Sequence, residues 1–163
     1  MAAVKERYIP LMKLSLAPTL AAILCVTLLG CSRQESTASS GGHTHRAPHG
    51  GTLVELGEHA YNLELVRDPA AGKLTAYVLD GHAENFIRIT APAFELVAFT
   101  GGEKRPLTLR AVANSATGET VGDTSQFEAQ ADWLKNTGEF PGEIPALEIR
   151  GNKFQKVALY LRK

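Results

Sequence analysis

Tyr61-Asn62-Leu63-Glu64-Leu65 places an apolar side chain at every second position, the pattern of a β-strand with one face in a core. The same period recurs on both sides of it. Upstream, residues 52–56 form a second such run, closed by the turn Gly57-Glu58-His59. Downstream, the turn at 68–73 leads to residues 74–79, and Asp80-Gly81-His82 leads to 86–90. Further runs lie at 94–99 and 106–113, on either side of Gly101-Gly102. Residues 114–124 carry no strand pattern. Residues 126–129 resume it, and 132–135 read as a single helical turn. Residues 144–150 and 154–161, joined through Gly151-Asn152-Lys153, form the clearest hairpin in the chain. Short strands at roughly 8–12-residue spacing with hardly any helix predict an all-β domain. The expected form is an antiparallel β-sandwich of about eight strands, with a small β-barrel as the alternative. Expected core residues are Phe86, Phe94, Leu96, Leu109, Trp133, Leu147, Ile149, Phe154, Val157 and Leu159.

Three segments follow: a signal over 1–30, an anchor and flexible linker over 31–50, and the β-domain over 51–163. Lys13 precedes an apolar run over 14–29, which at 1.5 Å per residue is short of the roughly 20 residues that span a bilayer. A basic start, an apolar middle and a small residue before the cut make a secretory signal. Leu28-Leu29-Gly30-Cys31 resembles the lipobox of bacterial lipoproteins. The resemblance implies cleavage before Cys31, lipidation of Cys31 and a permanent membrane anchor. Ser32 stands where an inner-membrane retention signal would carry Asp, so the implied location is the periplasmic face of the outer membrane of a Gram-negative bacterium. Residues 32–42 are rich in Ser, Thr and Gly; as a flexible chain they hold the domain roughly 18 Å from the membrane.

Composition excludes several classes. The chain carries 17 basic and 17 acidic residues; loss of Lys5, Arg7, Lys13 and Glu6 with the signal leaves 14 and 16. That balance offers nothing to nucleic acid. Both cysteines, Cys25 and Cys31, are consumed by the signal and the anchor. A disulfide, a thiolate zinc site and an iron–sulfur cluster are thereby ruled out for the mature chain. Both methionines, Met1 and Met12, leave with the signal too, which argues against thioether copper(I).

Chemistry concentrates in the histidines. His43, His45 and His49 fall within seven residues, in Gly41-Gly42-His43-Thr44-His45-Arg46-Ala47-Pro48-His49-Gly50-Gly51. In an extended chain His43 and His45 point to one side, and neutral imidazole is the common ligand for copper and zinc. These three are the expected metal ligands. His59 and His82, with Glu58, Asp80 and Glu84 beside them, form a second expected cluster. With strands alternating up and down, His59 and His82 share one end of the domain and His49 lies at the other, some 20 Å away at about 3.3 Å per residue.

The step from His43-Thr44-His45 through Pro48-His49-Gly50-Gly51 resembles a segment near the start of periplasmic adaptor subunits of heavy-metal efflux pumps and of related small lipoproteins. The likeness runs to Tyr77-Val78-Leu79-Asp80. The adaptors' long coiled-coil hairpin has no counterpart here, so the resemblance implies an accessory to metal efflux, with an efflux or envelope protein as partner. No nucleophile elbow, Cys nucleophile, phosphate loop or HExxH motif occurs, and the expectation is a binding protein rather than an enzyme. The competing reading is a β-sandwich interaction module of the cell envelope whose histidines are incidental.

Overall fold

The computed structural model describes residues 45–162. The signal, Cys31, the 32–44 stretch and His43 lie outside the described residues. The elements are β1 (Thr52–Leu56), β2 (Tyr61–Asp68), β3 (Lys73–Asp80), β4 (Ala93–Thr100), β5 (Glu103–Ala111), β6 (Gln126–Gln130), α1 (Trp133–Asn136), β7 (Phe140–Ile149) and β8 (Asn152–Leu161).

The eight strands build one sheet in the order β1-β2-β3-β6-β5-β4-β7-β8, with every neighbouring pair antiparallel. The all-β, eight-stranded architecture is the expected one, realised in its barrel alternative: a single sheet curls until it nearly closes. Its two free edges, β1 and β8, meet where the Arg162 amide donates to Thr52 Oγ1 at 3.0 Å.

Alternation decides which side chains fill the interior. Val54 and Leu56, Leu63 and Leu65, Leu74, Ala76 and Val78, Leu96 and Ala98, Leu107 and Leu109, and Phe127 all point inward and are buried. In β7 and β8 the phase flips midway. Phe140 and Ile144 are buried before Pro145, and Leu147 and Ile149 after it. Lys156, level with Pro145 between the pairs Ile144–Val157 and Ala146–Gln155, takes a left-handed φ of 52°. Both strands thus turn over together, and the same face stays filled. The hairpin turn is the two-residue Arg150-Gly151, both at positive φ, one step earlier than expected. This is the type I′ geometry that suits twisted strands.

Residues 86–90 form only isolated bridges, Leu79 to Phe86 and Ile89 to Thr124. The edge of β3 over 73–77 is already taken by β6. The connection from β3 to β4 therefore pairs with β3 only beyond it, as where the Ile87 amide donates to Val78 O at 2.9 Å. Within this connection Ile87 and Ile89 are buried, while Phe86 is 48% exposed. The expected interior place of Phe86 is thus corrected by one residue, the smallest slip that exchanges faces. Trp133 is partly buried at the core's margin, edge-on to Phe140. Phe127→Ala, at the centre of the barrel, should cost about 3–5 kcal/mol in urea denaturation, against about 1 kcal/mol or less for Phe86→Ala; equal costs would contradict the inside–outside assignment.

Candidate functional site

The outward face of β2 and β3 is covered rather than bare. Asn62, Glu64, Thr75 and Leu79 all point away from the barrel interior and are nonetheless buried. Two segments cover them. One is the connection after β3. Asn62 Nδ2 donates to Asp80 O at 3.2 Å and to Gly81 O at 2.9 Å, pinning that turn on β2. The other is the segment entering β1. The Gly50 amide closes a turn onto Ala47 O at 3.1 Å, with Gly50 at φ 74°. Pro48 fixes φ at the turn's second position. The chain before β1 is thereby folded back along the sheet instead of leading away from it.

Glu64 holds this fold-back. Its Oε1 accepts the His49 amide at 2.7 Å and the Gly51 amide at 2.9 Å, and its Oε2 lies 2.8 Å from His49 Nδ1. A carboxylate there accepts a hydrogen bond from a proton that the imidazole carries on Nδ1. The His49 ring stacks on Tyr77, centres 3.9 Å apart and planes within 13°, with Phe86 at 5.7 Å. Burial, the largest influence, raises the Tyr77 phenol above its ordinary 10.0; Glu128 and Glu64 push the same way and Lys73 opposes them. Gly51 is indispensable sterically, since a Cβ there would lie 2.5 Å from Leu65 O.

Four residues back along this segment, His45 arrives at the opposite end of the strands. Its ring centre stands 5.6 Å from that of His82 and 6.2 Å from that of His59, edge-on to both. His59 and His82 share this end, because Tyr61, just after His59, pairs with Asp80. The histidines therefore do not divide into a tail group and a rim group. His45 stands with the rim pair, His49 is engaged with Glu64, and His43 lies outside the described residues. The separation expected between the groups assumed that the chain ahead of β1 continues past the strand end; the turn at Ala47–Gly50 reverses it.

This end of the barrel is tightly made. A Cβ on Gly81 would fall 1.8 Å from His59 O, so only glycine lets the two histidine turns meet. Glu58, His59 and Ala83 all have positive φ, at 38°, 66° and 58°. Such backbone strain clusters at functional sites. The His59 amide donates to Glu55 Oε1 at 2.9 Å, and His59 Nδ1 lies 3.4 Å from Glu55 Oε2. Glu55 thus orients His59 much as Glu64 orients His49. Neither acid was among the expected site residues, although the alternation of β1 and β2 sets both on the outward face.

The expected carboxylates stand differently. Asp80 commits Oδ1 to the Glu84 amide at 2.9 Å and Oδ2 to Asn85 Nδ2 at 2.6 Å. Burial works to raise its pKa, but the hydrogen bonds from the Asn85 side chain and the Glu84, Asn85 and His82 amides outweigh it and hold the acid below 3.8. Glu58 and Glu84 are exposed. Among the described residues, no three His, Cys, Asp or Glu side chains stand close enough to share an ion as they are placed. Comparison with protein-family models, with curated proteins and with solved structures finds no match to this chain.

Because the folded-state pKa of Asp80 is depressed, its contribution to stability is complete above about pH 4 and fades as pH falls through the folded value. Asp80→Asn should therefore be less stable than the parent at pH 7, with the two denaturation midpoints converging in acid below pH 4. Gly81→Ala should lose more than about 2 kcal/mol or fail to fold, as read by the same measurement.

Proposed function

We propose that this is a lipid-anchored protein of the periplasmic face of the outer membrane that binds a divalent transition metal, copper or zinc, as an accessory to metal homeostasis or efflux. The anchor and address rest on the Leu28–Cys31 resemblance; the metal rests on the histidines. One observation carries it: at one end of the barrel the ring of His45, from the segment ahead of β1, stands 5.6 Å from that of His82 and 6.2 Å from that of His59, centre to centre. Two imidazoles on one tetrahedral ion, at bonds of about 2.0–2.1 Å, hold their ring centres about 5 Å apart. For the pairs His45–His82 and His45–His59 the closure required is about an ångström or less, with the donor nitrogens turned inward. His59 and His82 are exposed, so their rings can turn without disturbing the core. The rings stand edge-to-face with His45, at 73° and 85°, rather than stacked.

The ligand set becomes His45, His59 and His82. His49, one of the expected ligands, serves instead to seat the segment; His43, another, lies outside the described residues. Glu55 adds the carboxylate that fixes a ligating imidazole in many metal sites. The role is capture rather than catalysis, since His59 and His82 sit on turns and His45 on the segment ahead of β1, not on the packed strands that precise chemistry requires.

A second reading has its own observation. The seam between the free edges of β1 and β8 opens into a groove of about 880 Å³ lined by Leu53, Val66, Ala158, Tyr160 and Arg162. A sheet edge of this kind recruits extended partners, and the protein would then be an envelope interaction module.

Titration of the purified chain in detergent with copper(II) and with zinc separates the two. The metal reading expects affinity of about 1 µM or tighter, roughly −8 kcal/mol, lost in the His45→Ala/His59→Ala/His82→Ala variant. Equal weak binding by both proteins would leave the interaction module.

A further inference from the structure

We infer that Glu64 is the positioning residue of this site: its carboxylate docks residues 45–51 on the barrel, so that capture of the ion and docking of the segment are one linked event. The inference rests on the metal reading above.

His59 and His82 are carried by turns of the barrel itself, brought together by the contact of Gly81 with His59 O. His45 is the one described ligand that precedes β1, and its place is set by what holds the segment down. The main hold is Glu64. Its side chain is fully shielded on an outward face that would otherwise meet water, and it accepts from the amides of His49 and Gly51 and from the His49 ring. Both ends of the hold are stiff. Gly51 lies so close to β2 that a Cβ on it would meet Leu65 O, and the His49 ring is flat on Tyr77. From that point the turn Ala47–Gly50 aims the chain at the histidine end.

An ion bridging His45 to His59 and His82 fastens the far end of the same segment. Each fastening therefore raises the probability of the other by one common factor. Zinc should strengthen docking of residues 45–51, and loss of the Glu64 acceptor should weaken zinc binding although Glu64 donates no ligand. The effect has to pass through His45 and nothing else.

The experiment is a double-mutant cycle in zinc affinity on the full chain in detergent, with Glu64→Ala, His45→Ala and the pair, and Glu64→Leu, which keeps the bulk and removes the acceptor, in place of Glu64→Ala should the latter fail to fold. Amide hydrogen exchange at His49 and Gly51 is followed with and without zinc. Expected is a fall of about tenfold or more for Glu64→Ala, and no further fall when Glu64→Ala is added to His45→Ala. In the parent, zinc should slow exchange at both amides; in Glu64→Ala that slowing should vanish while the β2–β3 amides stay protected. A Glu64→Ala protein that binds zinc as the parent does, or whose loss adds fully to that of His45→Ala, overturns the inference while leaving the metal reading intact. A parent whose zinc affinity is indifferent to His45, His59 and His82 together overturns the metal reading and the inference with it.

Discussion

A carboxylate with no solvent exposure on the outer side of a β-strand is a demanding feature, because burial of an acid is unfavourable unless every oxygen has a donor. Glu64 meets that demand with three donors drawn from the segment ahead of β1. The arrangement constrains far more than one side chain. It turns the approach to β1 back across β2 and β3, lays His49 on Tyr77, and gives that side of the barrel a second layer. Asn62 works in parallel on the connection after β3. Among the described residues the opposite side has no such layer: outward residues of β4, β5 and β8, such as Glu95, Thr108 and Tyr160, are exposed. The barrel is thus asymmetric, and the strained trio Glu58, His59 and Ala83 gathers on the covered side.

That gathering has a steric origin. Two turns, after β1 and after β3, approach so closely that Gly81 has no place for a side chain, and three neighbouring non-glycine residues adopt left-handed backbone. Strain of this kind persists only where packing over-determines it. Here the packing consists of the Asn62 hydrogen bonds and the Asp80 carboxylate, which ties Glu84 and Asn85 to the turn. The outcome is that the backbone brings His59 and His82 to one end of the barrel, where both side chains are exposed and Glu55 stands 3.4 Å from His59 Nδ1.

Much of this was legible in advance, for identifiable reasons. Period-two alternation located the strands because each has one interior face, and it put His59 and His82 at one end because the strands do alternate in direction. It failed at 86–90, where a bridging connection borrows an edge without joining a ladder and Ile87, not Phe86, takes the inner phase. Strand order is not encoded in alternation at all: the insertion of β6 between β3 and β5 follows from long-range pairing. One sheet and two sheets therefore read alike along the chain. The segment over 45–50 reads as linker because it continues a Ser- and Gly-rich run. Yet Ala47-Pro48-His49-Gly50 carries the Pro and Gly of a tight turn, and Glu64 lies at an outward position where an acid can receive it. The turn had a local signature; the acid's partner, at a separation of fifteen residues, had none.

On the proposed metal reading, a site whose ligands come two from a frame and one from a docked segment would bind in a particular way. Two imidazoles alone leave the remaining positions to water, and such a partial site exchanges its ion readily. The third imidazole raises retention by whatever free energy its bond supplies, less the cost of ordering the segment. Because Glu64, Tyr77 and Gly51 order that segment in the protein alone, most of that cost would be met before any ion bound. Retention would then depend on a clasp that is chemically separate from the ligands. Undocking of residues 45–51 would return the ion to a two-imidazole site, giving a route to release that requires no change in the barrel.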